Sequence, residues 1–332
     1  MKPSSMKKFS YAAHSNQEPI PNSKKSVPGP TSLAQFVAIA LFKIFRKPVS
    51  IDAMTKAGIY LCLATGGSLI FDILKIPPSY FSNSYNLLNQ IFAKWSWGWT
   101  CCSLASFIVV SSYIFTGGKL SLMRSHLLRL VFGSACWYIF NGLFNFVENK
   151  TGQCHPLNLT LKSTLLRPDN KHLCHRLGGH WLGFDISGHC FITSMCNLWI
   201  TEELRCMLYW HKLAEIIKPY DNDFSPSSNP VKFNNFSLRD VNIMRSAFRR
   251  LTGAARFAFI VLAFLSVLWD VVFVSTIIYF HNLPSKLLGT SFGVLAWFLA
   301  YRIIFPSAKS GDWHGFAPGM PGSCALDFVP SK

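Results

Sequence analysis

Two histidines, His189 and His281, are the residues of this chain whose type and setting are best suited to chemistry. His189 ends the tripeptide Ser187-Gly188-His189 at the edge of an apolar stretch, and His281 lies in a short loop between two other apolar stretches. Two imidazoles at one site suit phosphoryl transfer, because one can attack phosphorus while the other protonates the leaving oxygen. The ordinary pKa of histidine, about 6.5, allows both roles near neutral pH.

The residues around His189 add to this interpretation. Ser187 and Gly188 stand where the pattern predicts a helix N-terminus, whose free backbone N–H groups and dipole favour a bound phosphate. Gly188 has no side chain to obstruct a phosphate, and Asp185 is a candidate for orienting a histidine. The alternative is that His189 packs between helices and His281 is an ordinary loop residue, since Ser-Gly-His is a short motif that occurs by chance.

The composition indicates a membrane protein. Of the 332 residues, 50% are hydrophobic and 15% aromatic, and only 14% are charged. The net charge of +17 is carried by short basic blocks that flank the apolar stretches, a distribution typical of cytosolic loops that face anionic lipid. Membrane lipids are therefore predicted partners and nucleic acid is not.

Six apolar stretches are long enough to cross a bilayer as helices, which makes the predicted fold an all-α polytopic membrane protein. The spans that together form the membrane domain, residues 51–306, are predicted at about 57–74, 95–115, 130–147, 184–204, 257–280 and 287–305. The fourth is the weakest, because it contains Asp185 and His189.

The remaining segments are assigned by their composition. Residues 1–32 are polar and rich in Pro and Ser, without the apolar core of a signal peptide, and are predicted to be a disordered cytosolic tail. Residues 33–50 are predicted to form an interfacial helix. Residues 206–255 are predicted to be a cytosolic loop, and residues 307–332 a second cytosolic tail.

The positions of Lys and Arg predict the orientation. With both termini in the cytosol, the Lys and Arg residues fall predominantly on the cytosolic side. His189 and His281 then lie on the same, lumenal, side. The sequon at Asn158 is predicted to be a lumenal glycosylation site and the one at Asn235 to stay unmodified.

Two blocks of the sequence resemble a known family. Residues 180–191, followed by Glu202 and Glu203, resemble the fat storage-inducing transmembrane (FIT) proteins, as do residues 279–282 with residues 286–293 and Trp297. Residues 318–322 are similar to fungal members of this family.

The resemblance implies an endoplasmic reticulum protein that supports lipid droplet formation and lipid balance, with a lipid phosphatase-like core. It implies cleavage of acyl-CoA at its diphosphate, giving acyl 4′-phosphopantetheine and adenosine 3′,5′-bisphosphate. By analogy with lipid phosphate phosphatases, His281 would be the nucleophile and His189 the general acid. Neither a metal nor another cofactor is implied.

The chain departs from the lipid phosphatase pattern in ways that leave the phosphate-binding cations open. Ile186 stands where those enzymes have Pro, no Ser-Arg pair precedes His281, and the basic first motif is lacking. The candidate cations share the predicted lumenal side: Arg167, Lys171, Arg176 and Lys286. Cys154 and Cys174 lie in the same lumenal loop and could form a disulfide.

Two other functions are compatible with a membrane protein of this kind. The first is a non-catalytic protein that binds and partitions neutral lipid such as diacylglycerol or triacylglycerol. The second is a transporter, which is disfavoured because most predicted spans carry no charge deep inside them; Asp72 and Asp270 are the exceptions.

Overall fold

The computed structural model describes residues 33–74, 76–156, 171–176, 178–208, 210, 213 and 238–306. Its helices are, in chain order, α1 (Leu33–Val49), α2 (Ala53–Ile73), α3 (Ser96–Phe115), α4 (Leu120–Thr151), α5 (Lys171–Arg176), α6 (Gly188–Glu203), α7 (Arg205–Leu208), α8 (Leu238–Tyr279) and α9 (Leu283–Ile304). The antiparallel strands β1 (Gln153–Pro156) and β2 (Gly179–Leu182) form a small hairpin.

Five helices of the described residues, α2, α3, α4, α8 and α9, are long and apolar enough to cross a membrane. Many of their outward-facing side chains are large and apolar, among them Tyr138, Ile139, Phe257 and Phe264. So many large apolar side chains on the outside of long helices are typical of helices that lipid surrounds. The prediction of an all-α polytopic membrane protein is therefore confirmed.

The helix at the predicted fourth span, α6, is the centre of the bundle. It packs against α2, α3, α4, α8 and α9, and every residue from Cys190 to Glu203 is buried. It has only 16 residues, or about 24 Å, whereas a bilayer core is about 30 Å thick. The helix begins at Gly188 rather than at residue 184, and it is not among the five that meet the length of a span.

Several predicted boundaries differ from the observed ones. The predicted loop 206–255 is too long, because α8 already begins at Leu238. Residues Met244, Ala247, Ala255 and Phe259 are buried along one side of α8, so its first turns are an amphipathic extension that a search for long apolar stretches does not detect. The helix α4 also begins before the predicted start of the third span, at Leu120, and its first turns contain the buried polar residues His126 and Arg129.

Polar side chains within the bundle are paired with one another. Lys56 donates hydrogen bonds to Asn197 and Ser266, and Asn197 donates to Asp270 at 2.7 Å. Asp270 is therefore part of a polar network between α2, α6 and α8. Since an unpaired charge in lipid is costly, such networks fix which helices adjoin α6.

A second group of paired charges joins α4, α6 and α9. Arg129 forms a bidentate ion pair with Glu203, with both distances 2.7 Å, and Tyr301 donates to the same carboxylate at 2.6 Å. Arg129 and Glu203 are both fully buried. One carboxylate thus joins three helices.

The hairpin joins the end of α4 to the segment that leads into α6. Cys154 of β1 and Cys174 of α5 form a disulfide, which fulfils the possibility noted from the sequence. The Trp181 Nε1–H donates to the Glu148 carbonyl at 3.2 Å, and the Phe184 N–H donates to the Thr151 hydroxyl at 2.8 Å. These contacts hold the residues that precede His189 against α4.

Other predictions concern parts of the chain outside the described residues. They are the tails at 1–32 and 307–332, most of the 206–255 loop, and the residues Asn158, Arg167 and Asn235. They stay predictions. The interfacial position of residues 33–50 is also untested, although these residues form α1, which packs against α8.

Candidate active site

His281 lies between α8 and α9 in an unusual backbone conformation. Its φ is 56°, and it is the only non-glycine residue with a positive φ among the residues that the structure describes. Residues held in this region are uncommon and occur often at functional sites. The next residue, Asn282, caps α9 by accepting a hydrogen bond from the Ser285 N–H. The cap fixes the point at which α9 begins and so holds His281 at the end of α8.

His189 is the second residue of α6, at the helix N-terminus that the sequence predicts. The Ser187 hydroxyl caps the helix by accepting from the Cys190 N–H at 3.4 Å. Ser187 is fully buried, so its side chain serves the cap. Gly188 has open space around its Cα, where a substituent would meet no atom within 4 Å. The position leaves room for a ligand beside the first turn of α6.

Direct contact between α6 and α9 brings the two histidine segments together. The Ser187 N–H donates to the Ser285 carbonyl at 3.1 Å. A Cβ at Gly289 would lie 2.3 Å from the Ser187 oxygen, and one at Gly293 would lie 2.6 Å from the Phe191 oxygen. Only glycine permits this approach, because neither carbonyl can move without distorting α6.

The two histidines line one cavity, as the predicted topology requires. The cavity has a volume of about 120 Å³ and lies between α6, α8 and the segment that precedes α3. The other residues that line it are Phe81, Ser84, Asn86, Leu88, Asn89, Ala93, Val272, Ser275, Thr276 and Phe280. Side chains from three separate segments therefore line the space beside the histidines, and most of the lining surface is apolar.

Asn89 orients His189, and sequence reasoning did not find it. Its side-chain nitrogen donates to the carbonyl oxygen of Ser84 at 2.6 Å. A carbonyl oxygen can only accept, so the atom of Asn89 that faces Ser84 must be the nitrogen. The Asn89 Oδ1 is therefore the atom that faces His189, at 2.7 Å from its Nε2. Hence Nε2 carries a proton and donates, while Nδ1 is the nitrogen available for proton exchange. The sequence signal was the row of asparagines before the second span, on the predicted lumenal side.

Asp185 is placed to act on His281. Its Oδ2 lies 3.5 Å from the His281 Nδ1, and its side chain is 60% exposed. Partial burial lowers the pKa of His281, the Asp185 carboxylate raises it, and the Lys286 ammonium lowers it again. The net effect is a pKa below the ordinary value, which keeps the imidazole neutral and nucleophilic at neutral pH.

Of the candidate cations named from the sequence, Lys171, Arg176 and Lys286 do not line the cavity, and Arg167 lies outside the described residues. Lys286 is 1% exposed and donates to the Asp72 carboxylate at 3.0 Å and to the Ile277 carbonyl at 2.9 Å. Lys171 pairs with Glu148 at 2.6 Å. These ammonium groups stabilise the fold around the site. The cation that sequence reasoning missed is Lys94, which lines a second cavity together with His189.

No group of three or more His, Cys, Asp or Glu residues in the described part of the chain is arranged to hold a metal ion. The two histidines of the hairpin, His155 and His180, lie opposite each other across the two strands. The site consists of two histidines, a carboxylate beside one and an amide beside the other.

Comparison with known proteins gives consistent matches over most of the chain. The sequence model of a family described as "Fat storage-inducing transmembrane protein" matches residues 77–301. The acyl-coenzyme A diphosphatase FITM2 of Drosophila melanogaster is 31% identical over 305 residues, which cover 90% of this chain and 68% of the relative.

Two mammalian relatives with the same name are similar to the chain. The Homo sapiens protein is 34% identical over 262 residues, which cover 79% of this chain and 84% of the relative. The Mus musculus protein is 35% identical over 263 residues, which cover 78% of this chain and 84% of the relative. No solved structure matches the chain.

The contact between α6 and α9 gives a prediction for stability. Gly289→Ala should lower the free energy of unfolding by about 1–3 kcal/mol, because the added methyl group has to displace backbone atoms of α6. The measurement is the thermal unfolding of the purified protein in detergent. The matched control is Gly142→Ala on α4, where a Cβ meets nothing within 4 Å. Its melting temperature should be unchanged or higher, and equal destabilisation of both variants would contradict the packing argument.

Proposed function

The chain belongs to the fat storage-inducing transmembrane (FIT) family, and we propose that it is a membrane-embedded acyl-CoA diphosphatase with His189 and His281 as its catalytic pair. It would hydrolyse the CoA diphosphate to acyl 4′-phosphopantetheine and adenosine 3′,5′-bisphosphate. The observation that carries the proposal is that the two histidines, 92 positions apart in the chain, line one small cavity. The relatives, which are named acyl-coenzyme A diphosphatases, support the same reaction.

In the first step His281 attacks one phosphorus atom of the diphosphate. Its Nδ1 is beside the Asp185 carboxylate, so Nε2 is the nitrogen with a free lone pair. A bond forms between Nε2 and phosphorus, and the bond from phosphorus to the bridging oxygen breaks. The product that remains on the protein is a phosphohistidine. Asp185 stabilises the positive charge that develops on the ring.

His189 supplies the proton that the leaving phosphate requires. His189 begins as the protonated ring: Asn89 accepts a hydrogen bond from its Nε2–H, and the second proton passes from Nδ1 to the bridging oxygen, which leaves the ring neutral. In the second step the neutral His189 takes a proton from water, which attacks the phosphohistidine and releases the second product. Both imidazoles return to their starting states. None of these steps uses a metal ion or another cofactor.

The substrate phosphates would lie near the first turn of α6. Gly188 provides open space there, and the backbone N–H groups of the turn favour an anion. Among the residues that we predicted to bind phosphate, Gly188 keeps this role. The other three predicted residues would act indirectly. Ser187 caps α6, and Asp185 lies beside His281. Lys286 pairs with Asp72 and so stabilises the fold around the site.

The protein would reside in the endoplasmic reticulum membrane with both termini in the cytosol and the histidines facing the lumen. The distribution of Lys and Arg supports this orientation. The disulfide between Cys154 and Cys174 supports an oxidising compartment on the side of the hairpin. Hydrolysis of acyl-CoA at this membrane would support lipid droplet formation and lipid balance.

The proposed orientation makes a prediction for glycosylation. Asn158 should be modified in cells, because the lumenal enzymes that attach the glycan reach its loop, and Asn235 should not. The measurement is the mobility shift that endoglycosidase removes, with Asn158→Gln and Asn235→Gln as the paired controls. A shift that depends on Asn235 would place the histidines on the cytosolic side.

The roles of the two histidines predict different responses to the leaving group. His189→Ala and His281→Ala should each lower the turnover of acyl-CoA by at least about 10²-fold, the usual contribution of one acid–base group. The measurement is the release of adenosine 3′,5′-bisphosphate by purified protein. A synthetic substrate with a good leaving group should partly rescue His189→Ala, because its departing oxygen needs little protonation. The same substrate should not rescue His281→Ala, since no nucleophile remains.

Other outcomes of that experiment would count against the assignment. Equal rescue of both variants would mean that the roles are wrong. Full activity in either variant, or none in the wild type, would instead favour a protein that binds and partitions neutral lipid.

The contact between Asp185 and His281 predicts a shift in the pH profile. His281 must be neutral to attack, so kcat/KM should fall as the pH drops through its pKa. The Asp185 carboxylate raises that pKa by stabilising the charged ring. Asp185→Asn should therefore move the acidic limb of the profile to lower pH, whereas Asp185→Glu, which keeps the charge, should leave it nearly in place. An acidic limb that moves to higher pH would show that Asp185 does not act on His281 in this way.

A further inference from the structure

A second cavity adjoins His189, and its lining includes a cation that has no role in the two steps described above. The cavity has a volume of about 630 Å³ and lies between α3, α4 and α6. His189 lines both this cavity and the one that the two histidines share. Lys94 lines only the second cavity, and His281 lines only the first. Lys94 therefore belongs to the side of the site on which His189 acts.

The segment before α3 holds Asn89 and Lys94 in one turn. Residues Leu88–Ala93 form a turn of π-helix, and the Lys94 N–H donates to the Asn89 carbonyl at 3.1 Å. Single turns of this kind are rare and occur often at functional sites. The side chain of Asn89 contacts the His189 Nε2 at 2.7 Å. The turn that orients His189 thus also carries Lys94.

One backbone carbonyl, that of Ser84, orients the side-chain amides of Asn89 and Gln90. It accepts from the Asn89 nitrogen at 2.6 Å and from the Gln90 nitrogen at 3.0 Å. Because both amides present their nitrogens to Ser84, their oxygens are left for other neighbours. The Asn89 oxygen faces His189, and the Gln90 oxygen accepts a hydrogen bond from the Lys94 Nζ at 2.7 Å. The same anchor therefore positions the imidazole and the ammonium.

The positive charge of Lys94 is not neutralised by the protein around it. Its partner Gln90 is a neutral amide, and no carboxylate of the described residues pairs with it. By contrast, Lys171 and Lys286 each pair with a carboxylate. Among the described residues that line the two cavities, Lys94 alone has a permanent charge. Once His189 is protonated, two positive charges adjoin the same space, which favours an anion there.

We propose that Lys94 binds a nonbridging oxygen of the phosphate that leaves in the first step; this assignment rests on the function proposed above. His189 protonates the bridging oxygen of that phosphate, and Lys94 is on the same side of the site. The ammonium stabilises the negative charge that develops on the leaving phosphate while its bond to the attacked phosphorus breaks. Gln90 is the positioning residue that holds the ammonium in place.

The first experiment measures binding without turnover. The probe is a palmitoyl-CoA analogue in which a methylene group replaces the bridging oxygen, so that it cannot be hydrolysed. Lys94→Ala should raise its Kd by about 10- to 100-fold, the usual contribution of one hydrogen bond to a charged group. Lys94→Arg keeps the charge and should recover most of the affinity.

The matched control is Lys150→Ala. Lys150 is an exposed lysine near the end of α4 that lines neither cavity, and its loss should leave the Kd within about twofold. An unchanged Kd in Lys94→Ala, or an equal loss in the control, would overturn the assignment.

The second experiment changes the charge of Lys94 without removing it. Gln90→Glu places a carboxylate beside the ammonium and neutralises it, so the Kd for the analogue should rise about as much as in Lys94→Ala. Gln90→Ala loses the same contact with Ser84 but leaves the ammonium charged, and its Kd should rise by less than about fivefold. Equal losses in the two variants would mean that the shape of the segment matters rather than the charge, which would refute a phosphate-binding role.

The third experiment tests which phosphate Lys94 binds. The substrates are the p-nitrophenyl esters of the two product phosphates, in which nitrophenol takes the place of the leaving phosphate. Lys94→Ala should lower kcat/KM for palmitoyl-CoA by about 10- to 100-fold, but for the ester that the wild type hydrolyses faster by less than about threefold. Equal losses for both kinds of substrate would show that Lys94 does not act on the leaving phosphate.

The binding experiments separate this proposal from the proposed function. If the wild type hydrolyses no acyl-CoA, the proposed function fails, and the Kd values for the analogue alone decide whether Lys94 binds the diphosphate. If the wild type hydrolyses acyl-CoA and Lys94→Ala does so equally well, the proposed function stands and the assignment of Lys94 is wrong.

Discussion

The close contact between α6 and α9 is the constraint on which the candidate site depends. Helices surrounded by lipid gain little from the hydrophobic effect when they associate, so they rely on small residues that let their backbones approach. Gly289 and Gly293 supply this approach along one side of α9. Because the backbone of Ser187 is part of the same contact, the N-terminus of α6 and the N-terminus of α9 hold a fixed relation. The positions of His189 and His281 are therefore set by helix packing, although one of them lies in a loop.

The paired charges inside the bundle keep this arrangement unique. Asn197 and Glu203 are buried on the central helix, and each is bonded to partners on neighbouring helices, Lys56 and Asp270 for the first and Arg129 for the second. If a different helix face lay beside Asn197 or Glu203, a charged or amide group would be left without partners in an apolar medium, at a large cost in free energy. Glycine contacts bring the helices close, and the polar networks determine which helices they are.

The sequence was sufficient for the class of fold and for the pairing of the histidines, since both follow from counting apolar stretches and basic flanks. It was not sufficient for the surroundings of the site. Lys286 looks like a phosphate ligand until the structure places Asp72, 214 positions earlier in the chain, beside it. Asn89 looks like any loop asparagine, because its role depends on a contact with His189, 100 positions away. Hydropathy also missed the start of α8, because an amphipathic extension has no long apolar stretch.

The short length of α6 explains how a polar reaction can take place inside a membrane protein. Residues 183–187 are not helical and lead from the hairpin down to Gly188, so α6 begins below the level of the end of α4. Non-helical backbone at such a depth is tolerated only where protein surrounds it or a cavity adjoins it. Here it is held by α4 and α9, and it ends beside the cavity that the two histidines line. In the function proposed here, a helix that begins beside this cavity holds its first-turn histidine at the diphosphate, which joins the nucleotide to the acyl 4′-phosphopantetheine part of the substrate.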